Sequence, residues 1–183
     1  MSSKKTLIRF FTIADYEEEE IWLTDQHKKG WRLIKMIVPC FYIFEKCTPE
    51  NVAYRLDYKN SLDENGYFQI FKDYGWEYIG QCFGWMYFRK PYSETDPEQD
   101  GEIFSDNRTR FDLVNRVIKT RFLPVLVIFS GCVVPNLIRT VEANDPASAV
   151  FTASFSALAL FFLYLIVYCG LKLRRLRKKY RDI

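Results

Sequence analysis

Gly30-Trp31-Arg32-Leu33, leading to Phe41-Tyr42-Ile43-Phe44-Glu45-Lys46, is one phrase of a chain that contains the phrase twice. The second copy is Gly75-Trp76-Glu77-Tyr78, leading to Trp85-Met86-Tyr87-Phe88-Arg89-Lys90. In each copy a helical pattern stops at Gly-Trp and two short apolar strands follow. The second strand ends in a run of large apolar residues closed by a basic one. Self-similarity of this kind decides the fold before any single residue does. It predicts a duplicated strand–helix–strand–strand domain of the α+β class, over 1–92, with repeats at about 5–47 and 52–92.

The residues around each phrase fit that frame. Lys5–Ile13 is rich in β-branched and aromatic residues and reads as the first strand. Asp15 and Glu18 have capping-box spacing at the start of a helix. Glu17, Glu18, Glu19 and Glu20 suit the positive end of its dipole and are expected to be solvated there. Lys28 and Lys29 lie in the last turn, and Gly30 supplies the left-handed position that ends it. Trp22, Leu23 and Gln26 form the expected inward face, with Trp31 over the helix end. Arg32–Val38 and Phe41–Lys46 then read as a hairpin turned at Pro39-Cys40.

The cycle restarts after the loop Cys47–Asn51. Val52–Tyr58 is a strand, Ser61 and Glu64 mark a second helix start, and Phe68 and Phe71 take the places of Leu23 and Gln26. Gly75 ends that helix. Glu77–Phe83 and Trp85–Lys90 form the second hairpin, turned near Gly84.

Beyond this the composition changes. Pro91–Gly101 is polar and acidic, which is linker composition, and 93–104 is assigned as linker. Ser105 or Asp106 caps a basic helix over 105–121, carrying Arg108, Arg110, Arg116, Lys119 and Arg121. Phe122–Ile138 and Pro146–Leu171 contain no charged residue. The first is near the lower limit of about 17 residues for a membrane span; a buried core helix is its competing reading. Spans are assigned to 122–141 and 146–171, and a basic tail to 172–183. Lysine and arginine flank the outer ends of this hairpin and are nearly absent between the spans, so both termini are expected in the cytoplasm of a multi-pass cell-membrane protein. Residues 1–100 hold 13 Lys and Arg against 17 Asp and Glu, a net of −4; residues 101–183 hold 13 against 6, a net of +7. The basic tail reads as a topology signal and an anionic-lipid contact rather than as a nucleic-acid site. No secretory signal is read at Met1–Ala14, where Arg9 breaks the apolar run.

Chemistry-bearing motifs are sparse. Five cysteines, odd in number and without metal-type spacing, point to reduced thiols, with Cys132 and Cys169 inside the spans. His27 is the lone histidine and is expected on a helix surface. Asp57, Glu45 and Glu77 are expected to face outward from strands. No nucleophile–base set, phosphate loop or metal signature appears, so no catalytic residue, metal or cofactor is expected, and the chain is not read as an enzyme. Aromatic residues recur on the hairpins beyond what a two-repeat core requires. Tyr42, Trp85 and Tyr87 are the candidate ligand-binding residues, in a cleft between repeats, with Arg55 or Glu45 as orienting polar groups. A plain aromatic core is the competing reading.

The runs KKGWRL, FYIFEKCTPENVAYRLDYK, GWEYIG, GWMYFRKP and EIFSDN resemble the bacterial family catalogued as domain of unknown function 2812, over roughly residues 7–120. The resemblance implies a pair of membrane spans after the domain and a regulatory role beside a PadR-type transcriptional regulator. The duplicated element order is also similar to the small-molecule-binding modules related to the gyrase-inhibitor family, where two repeats enclose an aromatic-lined cleft. The reading is therefore a membrane-anchored sensory or regulatory module. Its partners would be the lipid membrane and either a small apolar ligand or a protein. The alternative is an accessory or structural subunit of a membrane transporter or envelope complex.

Overall fold

The computed structural model describes residues 3–58, 64–92, 107–142 and 148–181. The expected cap at Ser61, the linker 93–104, the cap at Ser105 or Asp106, and the inter-span residues Asp145 and Pro146 lie outside them. The chain divides into two compact units, Met1–Thr109 and Arg110–Ile183.

The first unit contains two three-stranded antiparallel sheets. Strand β1 (Lys4–Ile8), helix α1 (Tyr16–Lys28), β2 (Trp31–Ile37) and β3 (Phe41–Lys46) build the first, in the order β1-β3-β2. Strand β4 (Val52–Tyr58), helix α2 (Glu64–Asp73), β5 (Glu77–Cys82) and β6 (Trp85–Pro91) build the second, in the order β4-β6-β5. The protein is thus α+β, and its halves share element order and strand order. Each hairpin also carries a register shift one turn past its Gly-Trp, between Leu33 and Lys35 and between Tyr78 and Gly80.

Local sequence explains the ends of these elements. Gly30 and Gly75 both adopt φ +80°, a conformation that only glycine reaches without strain. A Cβ on Gly30 would stand 3.0 Å from the Cys47 carbonyl oxygen. After α2, the Gly75 N–H donates to the Lys72 carbonyl and the Trp76 N–H to the Phe71 carbonyl, which is the Schellman arrangement. Phe83 and Gly84 both have positive φ, as a tight two-residue hairpin turn requires. Strand β1 is shorter than the sequence pattern predicts and stops at Ile8. The N-cap Asp15 accepts the Glu19 N–H at its backbone carbonyl but makes no side-chain cap bond; its Oδ2 accepts from the Thr12 N–H at 2.7 Å and the Thr12 hydroxyl at 2.6 Å. The predicted capping box is replaced by a turn that precedes the helix.

The two sheets differ in what covers them. In β3, Tyr42 and Phe44 are buried while Phe41 remains exposed, so the first sheet has one packed face. In β6, Trp85, Met86, Tyr87 and Phe88 are all buried, so the second sheet is covered on both faces. The Met86 and Phe88 face packs with Trp76 against Tyr67, Phe68 and Phe71 of α2, and the Phe71 and Phe88 rings stack at 4.3 Å. The Tyr87 face turns toward α1.

The second unit is a helix pair. Helix α3 runs from Asn107 to Glu142; its α-helical pieces Asn107–Val117, Leu123–Ile128 and Val134–Glu142 are joined by π-helical turns at Ile118–Phe122 and Phe129–Val133. Each π-turn ends two residues before a proline, Pro124 or Pro135. Proline lacks the N–H for the preceding carbonyl and crowds it, and a widened turn relieves that clash. The Asn136 side chain donates to the Cys132 carbonyl at 2.7 Å within the second of these regions. Helix α4 is Ser148–Arg181. Contacts between the helices run in reverse order, from Thr140–Thr152 through Phe129–Phe162 to Arg110–Tyr180, so the pair is antiparallel. Gly170 admits the Phe122 ring, whose Cζ would lie 3.1 Å from an added Cβ. Both helices are long and apolar enough to cross a membrane. Their large apolar side chains, among them Val127, Phe151 and Leu160, face outward, unlike those of a core helix.

Candidate functional site

Helix α1 presents an unusual inward face. Its buried residues are Tyr16, Glu19, Glu20, Leu23, Gln26 and His27, four of which are polar. The acidic run is therefore not wholly a solvated helix start: Glu18 is exposed, but Glu19 and Glu20 are buried. Helix periodicity explains the split, because positions 16, 20, 23 and 27 form one stripe at spacings of three and four.

Three of these four polar groups reach across to the second half, while Gln26 Oε1 accepts from Lys5 Nζ of β1 at 3.1 Å. Glu19 Oε1 accepts from the Tyr42 hydroxyl of β3 and the Tyr87 hydroxyl of β6, both at 2.7 Å. Burial pushes the Glu19 carboxyl up from its usual range, and the two hydroxyls oppose that shift. The same burial, with the carboxylate beside them, pushes both phenols well above the normal tyrosine range. Glu20 Oε1 accepts the Leu56 N–H at 2.7 Å, and Thr24 Oγ1 accepts the Tyr54 N–H at 3.4 Å. Since β4 is an edge strand, these side chains of α1 satisfy N–H groups that another strand would otherwise take. The free edge of β2 is managed likewise: the Tyr54 hydroxyl accepts the Leu33 N–H at 3.2 Å, and Arg89 Nη1 donates to the Leu33 carbonyl at 3.3 Å.

His27 is 5% exposed, not on the helix surface as expected, because Tyr54 holds it. Its Nδ1 lies 2.8 Å from the Tyr54 hydroxyl. Burial, then the nearby Arg89, pulls its pKa below the usual imidazole value, so the ring is neutral at neutral pH. Asp57, also expected to face outward, is buried, accepting the Tyr58 N–H at 2.7 Å and the Tyr67 hydroxyl.

His27 lines a cleft of about 420 Å³. Its walls come from both halves: Arg32, Lys46 and Glu50 from the first, Val52, Glu77 and Arg89 from the second. The floor is the buried part, formed by His27 and Val52, with Arg89 and Cys47 half-buried beside them. The paired charges at matched positions of the two halves have reversed sign. Arg32 pairs with Glu45 across β2 and β3, whereas Glu77 pairs with Arg89 across β5 and β6, at equivalent positions after Gly-Trp. The Arg89 fork is bidentate, with Nε and Nη2 each 2.7 Å from Glu77. That bond holds the Glu77 carboxyl below its usual range. Cys47 also lines the cleft; burial raises its pKa, and no hydrogen bond joins it to His27 among the described residues. Such a thiol stays protonated. The arrangement offers hydrogen-bond donors and fixed charges for holding a ligand. Among the described residues no group of three potential metal ligands occurs.

None of the five residues singled out from sequence lines this cleft. Tyr42 and Tyr87 are brought together, but at Glu19 and with buried rings. Trp85 is buried and stacks on Tyr16 at 5.3 Å. Arg55 donates to the Tyr54 carbonyl at 2.9 Å and lies 3.7 Å from Glu20. Glu45 sits across the strand from Arg32. His27, Arg32, Lys46 and Arg89 escaped sequence reading. The reversed Arg–Glu pairs at matched positions were the signal that could have found them.

Fold and site together define a two-sheet α+β domain with a polar cleft between its halves, followed by two helices fit to span a membrane. The family model described as a protein of unknown function, DUF2812, matches residues 15–127, more than half of the chain. The chain belongs to that family. No curated protein and no solved structure matches it.

Proposed function

We propose that the chain is a membrane-anchored sensory or regulatory module whose first unit binds a small ligand in the cleft between the two sheets. One observation carries this reading: the cleft is walled by both halves, and a buried histidine ring, engaged at Nδ1 alone among the described residues, lines it. A group that touches both halves can alter how they sit together, which is what a sensor requires. The helix pair supplies the anchor. Basic residues at Arg108–Arg121 and Lys172–Arg181 favour an orientation with both termini in the cytoplasm, and that places the first unit there too. A PadR-type regulator is the output partner that the family resemblance implies.

Purification of the full chain from native membranes, with mass spectrometry of small molecules released on denaturation, tests the proposal. A compound retained by the wild type and lost from His27→Gln is the expected result. Equal retention by both proteins, or none in either, contradicts it. Reporter fusions at Ser3 and Ile183 test the orientation: both should read cytoplasm, and an external C-terminus overturns the hairpin topology.

A further inference from the structure

We infer that the cleft takes a small organic anion, its carboxylate or phosphate group seated on the floor between the His27 ring and Arg89, with Lys46 at the mouth. The inference rests on the ligand-binding reading above and names the ligand's class.

The direction of the hydrogen bonds decides the charge of the ligand. The Tyr54 hydroxyl oxygen already accepts the Leu33 N–H at 3.2 Å, so its own proton is available for His27 Nδ1, 2.8 Å away. A neutral imidazole that accepts at Nδ1 carries its proton on Nε2. The nitrogen left for the cleft is therefore a donor. Arg89 is held flat by three bonds, two to Glu77 and one to the Leu33 carbonyl. Its side chain also bonds the Tyr54 hydroxyl, so up to four of its five N–H groups are used and the guanidinium is fixed in place with one left for the cleft. Lys46 lines the same cleft, and its ammonium has no partner among the described residues.

The acids are placed differently. Glu50 is exposed, and the Glu77 side chain is 61% exposed and engaged by Arg89. The buried end of the cleft thus offers donors, and the carboxylates stand at its rim. An oxyanion on the floor would make charge-assisted hydrogen bonds, and such bonds are roughly twice as strong as neutral ones. Val52 and Pro91 give the remainder of an organic ligand apolar contact. The volume, about 420 Å³, is that of a small-metabolite site rather than of an inorganic ion.

The chain contains one histidine, so a single imidazole resonance reports on the floor of the cleft. Full-length protein labelled with ¹⁵N-histidine, in detergent micelles at constant ionic strength, is titrated with inorganic phosphate, with succinate, with benzamidine and with phenol. Phosphate or succinate should shift the His27 Nε2 signal saturably, and which of the two binds more tightly tells the phosphate class from the carboxylate class. Lys46→Gln, an exposed substitution, should weaken that binding about tenfold or more, as loss of one charge-assisted contact implies. Anion shifts that fail to saturate, or that Lys46→Gln leaves unchanged, overturn the anion assignment. Shifts with benzamidine or phenol alone also overturn it while leaving the cleft a ligand site. No shift with any of the four probes removes both the anion assignment and the ligand-binding reading.

Discussion

Helices α1 and α2 hold the same place in the element order of the two halves, yet α1 adds a row of buried polar residues to its aromatic contacts. Helix α2 meets its sheet through Tyr67, Phe68 and Phe71 against Phe88 and Trp76, an aromatic contact. Helix α1 meets its surroundings through Glu19, Glu20, Gln26 and His27 as well as Leu23. The difference follows from position. Helix α2 covers one face of one sheet, where its packing partners include the side chains of Trp76, Met86 and Phe88. Helix α1 lies against both sheets and along the edge of β4, where the neighbours include unpaired backbone N–H groups and tyrosine hydroxyls. Apolar side chains there would leave buried polar groups without partners. Element order does not set the chemistry of a helix face; its neighbours do.

The largest effect should come from the apolar side of this comparison. Phe88 is fully buried and stacks on Phe71. Phe88→Ala should cost about 3–5 kcal/mol, and Trp76→Ala should fall in the same range. Urea titration of the full chain in detergent, read by near-ultraviolet circular dichroism, measures it. A loss below about 1 kcal/mol would mean that α2 is not held by this stack.

Next comes Glu20→Ala, which leaves the buried Leu56 N–H without its acceptor. The expected loss is about 1–3 kcal/mol by the same titration. Tyr87→Phe should cost less, about 0.5–1.5 kcal/mol, because Glu19 keeps the Tyr42 hydroxyl. A neutral Tyr87→Phe would show that Glu19 does not link the halves.

How much of this was legible in the sequence depends on how far away each partner lies. Gly30 and Gly75 declared the helix ends because left-handed φ is a local demand. The bounds of β3 and β4 could be read from alternation and flanking turns, and the apolar runs after residue 121 announced two helices long and apolar enough to cross a membrane. Glu19 and Glu20 looked like a solvated acidic run because their partners are distant: Tyr87 lies 68 residues on, and Leu56 lies 36 residues from Glu20. His27 was hidden for the same reason, since Tyr54 belongs to the other half. Extending the Leu23 stripe along its own helix would have flagged all three. The aromatic excess on the hairpins was real, but the rings of Tyr42, Trp85 and Tyr87 are buried, and the opening lies instead where charged strand ends face each other.

The smallest effects concern pH and have opposite signs at the two ends of α1. Folding raises the Glu19 pKa from its ordinary value of 4.5. The folded protein therefore holds a proton that the unfolded chain releases, and stability falls as pH rises through that interval. Glu19→Gln should flatten this part of the profile, so that the variant gains on the wild type as pH rises from the ordinary carboxylate value through the raised folded one. Folding lowers the His27 pKa from 6.5. There the unfolded chain binds the proton first, so stability is present above the ordinary imidazole value and is lost as pH falls through the folded one. His27→Gln should remove that acid-side loss. Unfolding midpoints across pH for the three proteins separate the two contributions.

Amide hydrogen exchange in Glu20→Ala tests the central claim, that α1 is a polar joint belonging to both sheets. In the wild type the Leu56 N–H donates to Glu20 across the joint, whereas the Phe88 N–H lies on β6, the central strand of its sheet. The account predicts that Leu56 exchange accelerates in the variant by a larger factor than Phe88 exchange, since local opening at the joint adds to any global loss. Equal acceleration at both amides, or none at Leu56, would contradict it.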